Sequence, residues 1–212
     1  MATLSYHEQK DIENIKKLRE LQKELPSFCS DFFRGIETST STRTRIAYAY
    51  DLKIFFQFLK AANPGTFDNP SHTLTPSDLE KLTVTDLEEY IDYLKCHPSD
   101  TNEDVINTER GLMRKVSSLR SFYSYFFRNE RIEKNPAALV RMPKLHEKEI
   151  IRLEIDEVAK LLDEVEEGDK LTEKQKLYHE RTKVRDLAMM SLLLGTGIRV
   201  SECVGLDMED VD

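Results

Sequence analysis

Along most of the chain apolar residues return every three or four positions, the spacing that lines one face of an α-helix. Ile12, Ile15, Leu18 and Leu21 or Leu25 keep that spacing and predict a first amphipathic helix, broken near Pro26. The polar run "ETSTSTRT" offers several N-caps for a second helix over about residues 42–62, with Tyr48, Leu52, Phe55, Phe56 and Leu59 on one face. "NPGTFDNPSHTLTPSD" reads as a loop, after which Thr85 is the expected cap of "DLEEYIDYLKCH", a helix ended by Pro98. A helix over about residues 108–130 buries Leu112, Val116, Leu119, Tyr123 and Phe126 on one arc. The neighbouring rings from Phe122 to Phe127 read as core rather than as a platform for bases. "NPAALVRMP" predicts a short helix between Pro136 and Pro143, and "KLHEKEII" an extended basic connector. From Glu154 an acidic helix runs to Gly168, and a long helix from about Thr172 becomes apolar at Leu187 and ends at Gly195. No strand and no repeat is expected, so the fold class is mainly α.

The other side of the 108–130 helix carries Arg110, Arg114, Ser117, Ser121, Ser124 and Arg128, with no acid among them. Exposed helices ordinarily mix signs to gain i,i+4 pairs. A face made only of donors suits phosphate oxygens and base edges; a solvated face is the other account of it. Charge is also distributed unevenly. Net charge is −8, yet residues 108–152 hold 11 bases and 5 acids. The flanks are acidic, with 10 acids to 2 bases over residues 68–107 and 9 to 3 over residues 153–174. A local basic segment matters more for an anionic partner than the sum does.

Composition closes several classes. Hydrophobic residues make up 39% and charged residues 33%, the mixture of a water-soluble, helix-rich chain. The longest apolar stretch, residues 187–194, is far too short for a bilayer, and residues 1–10 lack a signal-peptide pattern. Three scattered cysteines with no Cys-x-x-Cys spacing fit a reduced cytoplasm and no metal site.

The segment "LLLGTGIRVSECVGLDMEDVD", residues 192–212, places a guanidinium where a helix is already positive. Gly195 fits a helix C-terminus and Thr196 the cap of the next helix, so that Arg199 falls third in it. Glu or Gln is favoured there, and Arg costs about 0.3–1 kcal/mol against the dipole. Unpaired N–H groups beside a guanidinium make an anion site. Glu202, three residues on, could instead pair with Arg199 and merely brace the turn.

"RDLAMMSLLLGTGIRVSECVGLDMEDV", residues 185–211, resembles the first active-site box of the tyrosine recombinases, the phage-integrase family, and most nearly its Xer-type branch. The resemblance rests on Arg185-Asp186, the aliphatic run, Gly-Thr-Gly, Arg199, Ser201-Glu202 and Gly205-Leu206. "TRTRIAYAYDLKIFFQFL" and "LRSFYSYFFRNERIEKNPAALVRMPK" resemble the opening and closing helices of the family's core-binding domain.

The resemblance implies a helical, SAM-like core-binding domain over residues 37–143, a linker over 144–153 and the start of a catalytic domain over 154–212, with residues 1–36 as an extension. It implies a site-specific recombinase that clamps duplex DNA at a recombination site. A tyrosine would attack the scissile phosphate to leave a 3′-phosphotyrosyl link, with no metal or nucleotide cofactor. The intact enzyme would work as a tetramer on two sites. Arg199 would steady charge on the phosphate, with Glu202 orienting it. Arg43, Arg45, Arg110, Arg114, Ser117, Ser121, Arg128 and Lys144 are the expected DNA contacts. The family's lysine, its later histidines and its nucleophilic tyrosine would lie downstream of this box. The 212 residues are therefore expected to bind DNA without cutting it. A non-catalytic DNA-binding module, such as a truncated competitor, and a helical protein-binding adaptor are the other classes in view.

Overall fold

A computed structural model describes residues 5–67, 73–98, 103–144, 146 and 151–210. The chain forms two compact units, Met1–Glu147 and Lys148–Asp212.

The first unit opens with α1, Tyr6–Lys23, started by a capping box in which Ser5 and Glu8 bond each other's backbone N–H. Only the C-terminal half of α1 turns its stripe inward: Leu18 and Leu21 are buried, whereas Ile12 and Ile15 are exposed. After Pro26 the chain re-forms a short helix, α2 (Cys29–Gly35), whose Phe32 is wholly buried. Residues 1–36 were expected as an extension. The described part of them supplies Leu18, Leu21, Leu25, Phe28 and Phe32 to the same core as the helices that follow.

Helix α3, Thr42–Ala62, is capped by Ser41 and buries Leu52, Phe55, Phe56 and Leu59. Two single-turn helices, α4 (Pro64–Phe67) and α5 (Pro76–Leu79), lead to α6, Val84–Lys95. The cap of α6 is Thr83 and not Thr85: the Thr83 N–H donates to the Asp86 carboxylate at 2.6 Å, and the Asp86 N–H donates to the Thr83 hydroxyl. Nor does α6 run on to Pro98. Residues Cys96–Pro98 (β1) pair antiparallel with Asp104–Ile106 (β2), Cys96 opposite Ile106 and His97 opposite Val105. This hairpin is the one departure from the all-helical expectation among the described residues. Three-residue strands are too short to show alternation.

Helix α7, Glu109–Arg128, is capped by Thr108 and presents Val116, Leu119, Phe122, Tyr123 and Phe126 to the core. The rings interlock edge to face, Phe32 with Phe122 at 5.2 Å and Phe28 with Phe126 at 5.4 Å. Phe127, by contrast, points outward. The expected short helix after Pro136 is a single 3-10 turn, Pro136–Ala138. Gly35 lets α2 approach α7: a Cβ there would stand 2.1 Å from the Tyr125 ring. That ring also meets Phe32 and Phe126 edge to face, so moving it disturbs those contacts. Gly35→Ala is expected to cost about 1–3 kcal/mol by overpacking, read as a lower urea midpoint; an unchanged midpoint would mean the ring swings aside freely.

In the second unit α8, Ile155–Glu167, ends at Gly168 in the left-handed conformation (φ 68). Helix α9, Glu173–Thr196, begins after Thr172, whose N–H and hydroxyl both donate to Gln175. The two helices are tied where the His179 Nε2–H donates to the Val165 carbonyl at 2.8 Å. Gly168 is the one buried residue among those described here. Ile155, Leu177, Val184 and Val204 all stand more than half exposed, so the helices leave apolar faces open.

Candidate functional site

The donors expected on the outer side of α7 fall into two groups. Arg110 and Arg128 are exposed, and so are Arg43 at the start of α3 and Lys144 beyond the 3-10 turn. Arg43, Arg110 and Lys144 carry no ion pair among the described residues. Ser117 is exposed but donates its hydroxyl to the Met113 carbonyl at 2.8 Å, and Ser121 is half-buried. Arg45 is largely covered and donates to Glu37 at 2.8 Å.

Arg114, expected among the DNA contacts, also has a partner inside the first unit. Its fork holds Asp51 of α3 by two bonds, 2.6 and 2.8 Å, and Asp51 is only 2% exposed. Lys115 stands 3.9 Å from the same carboxylate and donates to Asn107. Burial pushes the Asp51 carboxyl above its ordinary value, and the Arg114 and Lys115 charges pull it part of the way back. Arg114 lies on the outer side of α7, as the helix wheel predicts, and from there joins α7 to α3. A helix wheel shows one helix at a time and cannot display a partner 63 residues away.

Arg120 went unnoticed in the sequence because it lies on neither arc of α7. Its Nε donates to the Ala137 carbonyl at 3.1 Å and its Nη2 to Val140, fastening the chain's exit from the first unit onto α7. No periodicity could have flagged it. Beside that exit, His146 meets Glu109 twice, by its N–H at 2.9 Å and its Nδ1 at 2.6 Å. The rest of the expected linker up to residue 150, Lys144 and His146 apart, lies outside the described residues.

The turn that carries Arg199 differs from its expected form. Gly195 remains inside α9, where the Thr196 hydroxyl donates to the Leu192 carbonyl at 2.6 Å. The left-handed residue is Gly197 (φ 70). Arg199 is then the N-cap of α10, Val200–Val204, and not its third residue. Its own N–H is bonded by Glu202 at 2.7 Å, and its Nη1 donates to the other carboxylate oxygen at 3.1 Å. A five-residue helix has little dipole and that N–H is already paired, so any pull on an anion comes from the guanidinium itself. The Arg199 side chain is 82% exposed, open to a ligand rather than sealed against its partner. The two bonds from Arg199, the backbone one foremost, hold the Glu202 carboxyl below its ordinary value. Glu202 therefore remains a carboxylate at neutral pH and keeps the turn in shape. Upstream, Arg185 donates to Asp186 through Nε and Nη2, at 2.9 and 2.8 Å.

Among the described residues no group of three His, Cys, Asp or Glu could hold a metal ion, and no helix is long and apolar enough to cross a membrane.

The sequence itself, compared with known proteins, says which family the chain belongs to. Residues 151–212 match the phage integrase family. Over most of its length the chain is a relative of the tyrosine recombinases. It is 34% identical over 195 residues to tyrosine recombinase XerC of Caldanaerobacter subterraneus subsp. tengcongensis, covering 88% of this chain and 50% of that protein. To tyrosine recombinase XerS of Streptococcus uberis it is 31% identical over 223 residues, covering 93% and 61%. To tyrosine recombinase XerC of Chlorobaculum tepidum it is 30% identical over 208 residues, covering 96% and 55%. The chain thus spans between half and about three-fifths of the length of these relatives. No solved structure matches it.

Proposed function

We propose that these 212 residues are the DNA-gripping part of a site-specific recombinase together with the first portion of its catalytic unit. The observation that carries this is the open Arg199 guanidinium, braced by Glu202, inside the stretch that matches the phage integrase family. Arg199 meets a non-bridging oxygen of the scissile phosphate and neutralises charge that grows as the phosphorus becomes five-coordinate. Glu202 keeps that guanidinium aimed. Arg43, Arg110 and Arg128 supply sequence-independent attraction to the duplex, and Lys144 extends it along the chain's exit from the first unit. Arg45, Ser117 and Ser121 take secondary places, since Arg45 is paired with Glu37, the Ser117 hydroxyl is held by its own helix and Ser121 is half-buried. Arg114 acts through Asp51 and not through DNA.

The open apolar faces of α8 to α10 support a catalytic unit completed by further polypeptide of the kind the longer relatives possess. On that reading the nucleophile comes with the added part, and the 212-residue chain holds DNA without forming a bond to it. The intact enzyme acts in the cytoplasm as protomers paired on two duplex sites.

The test is to mix the chain with labelled duplex and run native and denaturing gels side by side. A shifted band in the first and none in the second is the expected result. A band that survives denaturation would overturn the non-cleaving part, and no shift at all would overturn the DNA-gripping part.

A further inference from the structure

The segment that leaves the first unit is tied to α7 at two points. Near the middle of the helix, Arg120 donates from Nε to the Ala137 carbonyl at 3.1 Å. Its Nη2 donates to the Ala138 carbonyl at 3.4 Å and to that of Val140. At the first residue of the helix, Glu109 accepts the His146 backbone N–H at 2.9 Å. It also accepts the His146 Nδ1–H at 2.6 Å, because a carboxylate can only accept. Arg120 stands eleven residues after Glu109, about three turns, so both anchors lie on one side of α7, about 16 Å apart. Six residues on from Val140, His146 can be at most about 20 Å away. The exit segment therefore follows α7 from its middle back to its start, with little room to loop out. Pro143 stiffens it by fixing its own φ and favouring extended backbone at Met142.

Two cations ride on this segment. Arg141 and Lys144 are exposed, whereas Met142 and Pro143 between them are half-buried. Neither cation has an ion pair among the described residues. At about 100° per residue, Arg110, Ser117 and Arg128 stand about 80–100° round the helix from the line of the two anchors. The segment thus borders the donor face of α7. Glu109 sets an acid beside that basic surface, where long-range electrostatics alone would make it repel an anionic partner.

We infer that Glu109 and Arg120 are positioning residues for the duplex, lashing the exit segment along α7 so that Arg141, a further phosphate contact, and Lys144 stand beside Arg110 and Arg128. The inference rests on the DNA-gripping reading above. It adds Arg141 to the contacts, worth about 0.9 in the salt slope, and gives an acid a favourable part in holding an anion.

The experiment measures affinity of the 212-residue chain for a 20-base-pair duplex by fluorescence anisotropy over a salt series, comparing Glu109→Gln with Glu109→Ala. Both variants remove the same charge, but Gln keeps an oxygen for the His146 N–H and Ala does not. Glu109→Ala is expected to bind at least about threefold more weakly than Glu109→Gln, with a salt slope shallower by about 1. Equal affinities, or tighter binding by Glu109→Ala, would overturn the inference and leave the DNA-gripping reading standing. An unaltered chain with no duplex affinity would overturn that reading and this inference with it. A second comparison separates positioning from a loss of helix stability. In an Arg141→Ala/Lys144→Ala background the two Glu109 variants should bind alike. A gap that persists there would not pass through the two cations, and would overturn the inference as well.

Discussion

Arg114→Ala is expected to lower the stability of the first unit by about 3 kcal/mol at neutral pH. Breaking a buried pair by removing one partner costs about 3–5 kcal/mol, because the other charge is left buried alone. The lower end applies here. Asp51 is only 2% exposed, but the Arg114 side chain is 46% exposed and Lys115 remains at 3.9 Å. The loss should depend on pH with a definite sign. Burial already raises the Asp51 carboxyl above its unfolded value, so charging it costs stability as pH rises through its folded value. Removing Arg114 raises that folded value further. The deficit is therefore largest at neutral pH and shrinks as pH falls and Asp51 takes up a proton. Urea unfolding over a series of falling pH values measures it, and a loss that never shrinks before the parent protein itself unfolds would show that charge burial is not the cause. Arg114→Glu is consequently a poor probe of DNA contact, since it sets a second carboxylate beside Asp51 and would report unfolding. Arg110→Glu and Arg128→Glu test the interface without that confusion.

Arg199→Ala, made in a protein that carries this unit together with the family's downstream boxes and cleaves DNA, should leave duplex affinity within about twofold. The same change should slow cleavage by at least ~10²-fold, the scale for removing one transition-state donor. The Arg199 side chain is 82% exposed and its ion pair is with Glu202, so the fold should tolerate the change. Single-turnover cleavage with saturating enzyme separates the two quantities. Cleavage near the parental rate would remove Arg199 from the chemistry.

Both results turn on how far each residue's surroundings could be read from the chain. Helix limits were legible because caps are local. Ser41, Thr108 and Thr172 announce α3, α7 and α9, and the stripes on α3 and α7 mark the faces that are buried. The start of α6 was misplaced by two residues, because both Thr83 and Thr85 have an acid three positions on. The hairpin escaped notice because its strands pair across a connection and are too short for alternation. In the α9–α10 turn two glycines competed for the left-handed position, and only backbone geometry decides for Gly197.

The candidate site divides in the same manner. Arg199 and Glu202 were legible as a pair because three residues separate them, although their roles came from resemblance. The tie of Arg114 to Asp51 and the role of Arg120 went unseen, because their partners, Asp51 and the carbonyls of residues 137–140, are close only after folding.

The measurement closest to the central claim is the salt dependence of duplex binding by the 212-residue chain. Each phosphate neutralised releases counterions, and log K then falls against log salt with a slope of about −0.9 per contact. Four exposed cations, Arg43, Arg110, Arg128 and Lys144, predict a linear fall with a slope of about −3 to −4. Double reversal at Arg110 and Arg128 should flatten it by about 2. A chain with no measurable duplex affinity at low salt, or one whose affinity ignores salt, would contradict the account.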